Sequence, residues 1–434
     1  MQRPHFRARS SCCDWRVVAD RRTILFKALL IVFCFFSATG SFPVDVLGAK
    51  LSNVFTLAFC AVMPLFLPGK SSYSARLAPL VMVGTLFMMW QSLTALWAPD
   101  IAFSAYRALV VNGYMFLALA LPIATAHRSI DLIAMYGRVA LAASALLVVT
   151  YAAFLPLGAR AVYPQLFLPS MVWEPLDDFD LNDPNIVACA LSVGLICALA
   201  TIRDRRWRLL GASIFAIAIL ITQSRTAILF LPVAAFLAAI VTRNAKAALI
   251  SLLAMTALAG VGIAVYDLLG NVGDASGMTD AFQERFLSDS ASNDDRLERL
   301  QGALVALQKP VVALFGLGAG GSISSGLEPH NMFLSFFLEL GFFGLTLFCG
   351  IFFLIGGLVS GMADREKKYY CAWLLLFVLF ASLTYWHTRT LWFSISLIIF
   401  ASLQQQHRPV RRRTRSLPAL HTQAIGSIQS AQAS

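Results

Sequence analysis

The stretch NMFLSFFLELGFFGLTLFCGIFFLIGGLVS occupies residues 331–360 and contains one charged side chain, Glu339. A helix needs about 20 predominantly apolar residues to cross the hydrocarbon core of a bilayer, and this stretch is long enough. Within lipid, every backbone N–H and C=O must find a partner inside the segment, and for a run of this length a helix satisfies them. The stretch therefore predicts a membrane-spanning α-helix.

The rest of the chain has the same character. Of its 434 residues, 58% are hydrophobic and only 13% are charged. The strands of a membrane barrel would be about half as long and would alternate apolar with polar residues, which these runs do not. We therefore predict an all-α polytopic membrane protein with about 12 transmembrane helices. The predicted spans are 24–41, 51–68, 77–97, 105–125, 132–155, 185–202, 209–224, 226–242, 247–268, 331–360, 369–386 and 390–404.

The remaining segments define the domain organisation. A basic cytoplasmic tail at 1–23 precedes the membrane domain of 24–404, and a basic, Ser/Gln/Ala-rich tail at 405–434 follows it and is predicted to be disordered. Two connections, 156–184 and 269–330, are much longer than the others, and the second lies between predicted spans nine and ten. Because long loops on a rigid scaffold often carry function, we expect the functional site where these two loops meet.

Orientation follows from the distribution of Lys and Arg, which favour cytoplasmic loops. With the N-terminus in the cytoplasm, all but nine of the 34 basic residues fall on the cytoplasmic side. The nine exceptions are Lys50, Arg107, Arg160, Arg225, Arg285, Arg296, Arg299, Lys309 and Arg389. Both termini are thus predicted to be cytoplasmic and both long loops to face outward. The net charge of +11 then reflects topology and attraction to membrane lipids rather than nucleic-acid binding.

Two groups on the predicted outer face are candidates for chemistry. His330 and Asn331 directly precede the apolar run of 331–360, and Arg225 lies between two apolar runs. Each has a local explanation: His330 or Asn331 can cap a helix, and Arg225 can extend to lipid head groups. A functional explanation exists as well, because a charge between two spans is costly unless it has a partner.

The spacing of these residues resembles a family signature. His330-Asn331 is followed by nine residues and then by Gly341 and Gly344, which resembles the pattern of the bacterial O-antigen ligase and Wzy-type polysaccharide polymerase superfamily. The segments DPNIVA at 183–188, TQSRTA at 222–227 and the loop segment 294–320 are similar to further family motifs, in the family's order. The resemblance covers roughly 180–360.

One position departs from the family pattern. The family often has a Trp shortly after the loop arginine, where this chain has Leu300 and Gln301. Either Arg296 or Arg299 can therefore be the matching arginine. Without the resemblance, both arginines are also explained by a solvated helix in which they pair with neighbouring acidic residues.

The resemblance implies a GT-C-like, metal-independent glycosyltransferase of the bacterial inner membrane that uses no cofactor. Its donor would be a glycan on undecaprenyl diphosphate, and its site would face the periplasm. The acceptor would be lipid A–core in an O-antigen ligase, which we place first, or a growing glycan in a Wzy-type O-antigen or exopolysaccharide polymerase. A lipid-linked glycan flippase or transporter is a more distant alternative. We find no repeated halves of the kind common in transporters, which favours an enzyme.

The resemblance also assigns roles to individual residues. Arginine suits a diphosphate leaving group because it stays charged and binds phosphate oxygens with a planar fork. His330 could accept the proton of the acceptor hydroxyl or, when protonated, bind the diphosphate. The implied catalytic residues are His330, Arg225 and Arg296; the substrate-binding residues are Asn331, Arg299, Asn185 and Arg389; the structural residues are Gly341, Gly344 and Glu339. We expect the two glycines to allow close helix packing and Glu339 to pair with polar groups inside the bundle.

Three other sequence features bear on the site. Asp178 and Asp180 form a D-x-D pair that could hold a divalent metal. The pair is also explained as part of a solvated acidic loop, and the resemblance favours metal-free transfer. The run GLGAGG at 316–321 has no Lys-Ser/Thr after it and is not expected to bind a nucleotide. The outer turn that contains His387 and Arg389 is typical of an interfacial anchor, with a supporting role at the site as the alternative.

Overall fold

The computed structural model describes residues 12–39, 45–46, 49–68, 75–154, 184–222, 224–256, 290–329, 331–384 and 388–406. Almost all of these residues are helical. The helices are α1 Cys12–Ala38, α2 Leu51–Val62, α3 Ala78–Thr94, α4 Ile101–His127, α5 Leu132–Phe154, α6 Pro184–Thr201, α7 Arg205–Ile221, α8 Arg225–Val241, α9 Ala245–Thr256, α10 Ser290–Leu307, α11 Pro310–Phe315, α12 Gly321–Ser324, α13 Met332–Ser360, α14 Arg365–Thr384 and α15 Thr388–Gln406. Turns of 3-10 helix at Met63–Phe66 and Ala95–Trp97 continue α2 and α3, and Asp45–Val46 pairs with Ala49–Lys50 as a small antiparallel ladder.

Several of these helices have the length and composition of membrane spans. Among the described residues, four helices are long and apolar enough to cross a bilayer: Ala78–Trp97, Ile101–His127, Leu132–Thr150 and Met332–Ser360. Shorter apolar helices are Leu51–Phe66, Asn185–Thr201, Thr226–Val241, Ala245–Thr256 and Thr390–Gln404. The prediction of a helical, multi-pass membrane protein is confirmed. The total of 12 spans, the GT-C-like architecture and the position of the long loop between spans nine and ten stay predictions.

The centre of the bundle is built from aromatic rings around α15. Trp392 of α15 is fully buried, with its ring centroid 5.9 Å from that of Phe87 on α3 and 6.3 Å from that of Phe348 on α13. Phe336 completes the cluster at 4.5 Å from Phe348. Aromatic pairs at these separations add to van der Waals packing, which drives helix association where lipid is as apolar as the side chains.

Helix α13 bends sharply at Gly341, whose backbone angles (φ 67°, ψ −169°) are not helical. The bend removes the helical N–H partners of the three carbonyls that precede Gly341. Each of these carbonyls has a new donor from elsewhere: the N–H of Leu317 donates to Leu338 (2.8 Å), the N–H of Gly318 to Glu339 (2.9 Å), and the indole Nε1–H of Trp90 to Leu340 (2.8 Å). The bend therefore leaves no carbonyl among these three unsatisfied, as a helix in lipid requires.

The helix ends separate into two groups. The α3–α4 turn meets the glycine-rich segment before α13, because a β-carbon on Gly318 would touch Ala98 and one on Gly320 would touch Phe103. All of these positions are predicted to face outward. At the opposite end, the Lys367 ammonium of α14 bonds to Gln404 of α15 at 3.0 Å, and both are predicted to face inward. The grouping agrees with the predicted topology, while the membrane side of each end stays a prediction.

Candidate functional site

A hydrogen bond joins the starts of α6 and α8. The Ser224 hydroxyl donates to the side-chain oxygen of Asn185 at 2.7 Å and accepts from the N–H of Ala227 at 3.4 Å. Ser224 is thus the N-cap of α8, the position where Ser satisfies an otherwise unpaired helix N–H. Arg225 is the first residue of α8, so its backbone directly adjoins the bond to Asn185.

Asn331 anchors the start of α13 in a similar way. Its side-chain oxygen accepts from the N–H of Leu334 at 3.0 Å, and its Nδ2 donates to the carbonyl of Leu383 near the end of α14 at 2.9 Å. The capping interpretation of Asn331 is therefore confirmed. Contact of Asn331 with a substrate stays a prediction. Its observed partners hold the segment that begins α13 against the end of α14.

Packing between α8 and α14 brings these two anchors to the same end of the bundle. The rings of Phe230 and Phe380 stack with centroids 5.4 Å apart, and the Trp373 indole donates to the Leu231 carbonyl at 2.9 Å. The start of α8 therefore lies beside the end of α14, where Asn331 is bound. Four of the residues predicted from the sequence lie in the first turn of a helix at this end or directly before it: Asn185, Arg225, Asn331 and Arg389.

Helix N-termini gathered at one end have an electrostatic consequence. The first N–H groups of a helix carry partial positive charge, and the helix N-terminus favours anions such as phosphate. Helices α6, α8, α13 and α15 all begin in this region. The backbone alone therefore makes this end of the bundle attractive to an anionic group, before any arginine side chain is counted.

Helix α10 connects the loop arginines to this region. A β-carbon at Gly302 would lie 2.8 Å from the Leu327 side chain, in the segment that leads into α13. Arg299 is half-buried and lies one turn before Gly302, and Arg296 lies one turn before that. Residues three positions apart are neighbours on a helix surface, so Arg299 lies on the face of α10 that contacts this segment.

Several predicted groups lie wholly or partly outside the described structure. His330, and the pair Asp178 and Asp180, lie outside the described residues. Arg225, Arg296 and Arg389 are described as helical positions without their side chains. Among the described residues, no group of three His, Cys, Asp or Glu side chains is placed to hold a metal ion.

A second polar cluster lies beneath the glycine-rich segment. Glu339 is only 1% exposed, and its carboxylate accepts from the Ser322 hydroxyl and from the Gly320 N–H. Arg107 of α4 is close enough to attract that carboxylate. Glu339 was expected to pair with polar groups inside the bundle. Arg107 and Ser322 were not singled out, although a lone arginine in an apolar run is a recognisable signal.

The glycines of this region allow two backbones to cross at close range. A β-carbon at Gly341 would lie 2.3 Å from the Leu314 carbonyl oxygen, and one at Gly316 would lie 2.2 Å from the Glu339 carbonyl oxygen. The close neighbour of Gly341 is thus the short helix α11 and its end, not a second spanning helix. At Gly344 the nearest atom is Leu340 Cβ of the same helix. The GLGAGG amides of Leu317, Gly318 and Gly320 bond to α13 and are occupied by the protein itself.

A comparison with protein families identifies the region just described. Residues 210–349 match the family Wzy_C, O-Antigen ligase, whereas no curated protein matches the chain. The matched range begins within α7, ends within α13 past its bend, and includes Arg225, Arg296, Arg299 and Asn331; Asn185 and Arg389 lie outside it. The function is accordingly of the O-antigen ligase or polymerase type in general, and its substrates are lipid-linked glycans as a class. The match at residues 210–349 supports the resemblance of this chain to the O-antigen ligase and Wzy-type polysaccharide polymerase superfamily.

Proposed function

We propose that this protein is a metal-independent glycosyltransferase of the bacterial inner membrane. It moves a glycan from undecaprenyl diphosphate to a hydroxyl of lipid A–core on the periplasmic face, as an O-antigen ligase does. The observation that carries the proposal is a coincidence of two findings. The range that matches the O-antigen ligase family also contains Arg225 at the start of α8, Arg296 and Arg299 on α10, and the start of α13.

The leaving group explains why cations are needed. When the bond between the anomeric carbon and the diphosphate oxygen breaks, negative charge grows on that oxygen, and fixed positive groups aimed at it lower the barrier. Arg225 supplies one such charge at the first position of α8, where the N–H groups of the first turn add to it. Arg296 of α10 supplies the second, with Arg299 and Arg389 as further phosphate contacts.

The geometry around Arg225 supports this role. The bond between Ser224 and Asn185 joins α8 to α6 at the residue before Arg225. A cation on such a fixed helix start needs little reorganisation when charge develops, which is the source of its catalytic effect.

His330 acts on the acceptor in this proposal. The imidazole takes the proton of the acceptor hydroxyl, the hydroxyl oxygen bonds to the anomeric carbon, and the lipid diphosphate leaves with the electrons of the broken bond. Asn331 directly follows His330. Its hydrogen bonds to Leu334 and Leu383 fix the chain beside the imidazole. A transfer rate that rises with pH through the histidine pKa would support His330 as the general base. A rate that falls over the same range would instead support a protonated ring bound to the diphosphate.

Purified protein in lipid nanodiscs provides the direct test. It is given undecaprenyl-diphosphate glycan together with either lipid A–core or a second donor molecule. Glycan attached to lipid A–core is the expected result, and it should persist in a strong chelator. A lengthened lipid-linked glycan without transfer to lipid A–core would identify a polymerase instead. No transfer in either mixture, with movement of the donor across the bilayer, would favour the transporter alternative.

A deletion strain distinguishes the same functions in the cell. Loss of capped lipopolysaccharide while polymer is still made is the outcome expected for a ligase. Lipopolysaccharide that carries a single repeat would point to a polymerase. Reporter fusions within 269–330 test the location: a cytoplasmic signal there would contradict a periplasmic site.

A further inference from the structure

A large cavity lies between α7, α8, α9 and the start of α14, mostly at the end of the bundle opposite Ser224 and Asn331. Its volume is about 1420 Å³, above the roughly 300–1,000 Å³ of ordinary small-molecule pockets. It runs along α8 from the α8–α9 turn up to Ile228 and Ala227. The cavity is therefore long enough to follow most of α8.

The walls of the cavity are apolar and open toward the outside of the bundle. Leu209 and Leu220 of α7 and Ile250 of α9 line it, and their side chains are 59%, 47% and 56% exposed. In a membrane, such exposed apolar side chains face acyl chains. The groove is thus suited to apolar chains that enter it sideways.

One end of the cavity is strongly basic. Among the lining residues that the structure describes, six are Arg or Lys and one, Glu366, is acidic. The six cations come from the α6–α7 connection and the start of α7, the α8–α9 turn, and the start of α14: Arg203, Arg205, Arg208, Arg243, Lys246 and Arg365. Arg208 donates from Nε to the Ile202 carbonyl at 2.7 Å, which fixes its guanidinium at the end of α6.

The general preference for positive charge on the cytoplasmic side accounts for basic residues at this end. It does not account for their convergence from three separate parts of the chain on one cavity. Arg206, in the same segment as Arg203 and Arg205, does not line the cavity. The grouping of these six cations beside an apolar groove is the feature that indicates a ligand.

We propose that this groove binds an anionic phospholipid of the bilayer. The phosphate lies among Arg203, Arg243 and Arg365, where charge-assisted hydrogen bonds hold it, and the acyl chains follow the apolar wall along α8. Basic pockets between helices on the cytoplasmic side are suited to anionic lipid head groups. Tyr369 and Tyr370 line the same end, the level at which amphipathic rings are favoured. The site is separate from the proposed catalytic end and does not depend on its function.

The test uses the full chain in nanodiscs of mixed zwitterionic and anionic phospholipid, with retained lipid measured by native mass spectrometry. Two variants address the two halves of the site. The double variant Arg203→Gln/Arg365→Gln removes cations from the basic end, and Ala216→Trp fills the apolar groove at an exposed small residue. The matched control is Arg206→Gln/Arg138→Gln, two exposed arginines on the same predicted side that do not line the cavity.

The expected result is selective retention of anionic lipid by the parent and the control, and retention about tenfold lower in both test variants. Equal retention in all four proteins would overturn the proposal. So would loss only in the double arginine variant, with Ala216→Trp unchanged and inorganic phosphate displacing the signal, because that outcome indicates a phosphate site on the surface. Displacement of the lipid by undecaprenyl diphosphate would assign the groove to the donor chain instead and would also overturn it.

Discussion

The Ser224 hydroxyl donates a 2.7 Å hydrogen bond to the side-chain oxygen of Asn185, and this bond joins the first turns of α8 and α6. The two residues are separated by 39 positions in the chain. Their contact sets the position of Arg225, the next residue along α8. We therefore expect Ser224 to affect transfer without touching either substrate.

Replacement of Ser224 by Ala removes both the cap of α8 and the bond to Asn185. Loss of a serine cap costs about 1 kcal/mol of helix stability, and a small displacement of Arg225 should lower kcat about tenfold. The measurement is steady-state transfer with the nanodisc assay. Ser192→Ala is the control, because Ser192 is also buried and its hydroxyl donates to Ala188 within its own helix. Equal activity in the two variants would contradict a positioning role for Ser224.

Substitution of Arg225 itself should lower transfer far more than substitution of Ser224. We expect Arg225→Ala to lower kcat by about 10²–10³-fold, as loss of a group that stabilises transition-state charge commonly does. Arg225→Lys should recover only part of the activity because an ammonium lacks the planar fork. Arg138→Ala controls for loss of one arginine from the membrane domain. Full transfer by Arg225→Ala, in a protein that elutes normally in size-exclusion chromatography, would remove this residue from the proposed mechanism.

The role of His330 predicts a dependence on pH. If the neutral ring accepts the acceptor proton, kcat/KM should rise with pH through about 6–7, the range in which an unperturbed imidazole loses its proton. His330→Ala should abolish that rise together with most of the activity. The pH profile of single-turnover transfer measures both. A profile of the parent that falls over this range would favour the protonated ring as a ligand for the diphosphate.

Gly341 should tolerate no side chain. Its φ of 67° is strained for any other residue, and a β-carbon would meet the Leu314 carbonyl oxygen at 2.3 Å. We expect Gly341→Ala to destabilise the protein by about 2–4 kcal/mol, seen as a lower thermal unfolding temperature in detergent. Gly356→Ala on the same helix is the control, because nothing lies within 4 Å of its added β-carbon. Equal unfolding temperatures would show that the bend is readily straightened.

The attraction between Glu339 and Arg107 predicts a coupled effect on stability. Glu339→Leu leaves the Arg107 charge without the buried carboxylate that attracts it, and should lower the free energy of unfolding. The double variant Glu339→Leu/Arg107→Leu should be more stable than Glu339→Leu alone, since no charge is left uncompensated. Thermal unfolding of the two single variants and the double variant measures the coupling. Additive losses would indicate that the two residues act independently.

The helices were predictable from the sequence because long apolar runs have few alternatives in a membrane. The bend of α13 was not, because its cause is not local. Gly341 and Gly344 look alike in the sequence, and the donors that satisfy the exposed carbonyls come from Leu317, Gly318 and Trp90, the last of them 250 positions from Leu340.

The candidate site shows the same division. Asn331 was recognisable as a helix cap from its place before an apolar run. Arg225 was recognisable as a candidate functional residue because a charge between two spans is costly unless it has a partner. The bond between Ser224 and Asn185 requires two helix starts to meet in space, and no periodicity in the sequence encodes that distance. The same holds for Arg107 and Glu339, which belong to separate helices.

The bend of α13 also limits how substrates can enter. Lifting the segment 316–320 would remove the hydrogen-bond donors of the Leu338 and Glu339 carbonyls, and each carbonyl left buried without a donor would cost about 1–3 kcal/mol. This segment is therefore expected to stay in place and not to open for substrate entry. Under the proposed function, a polyprenyl-linked donor is therefore expected to enter by a route that leaves 316–320 in place.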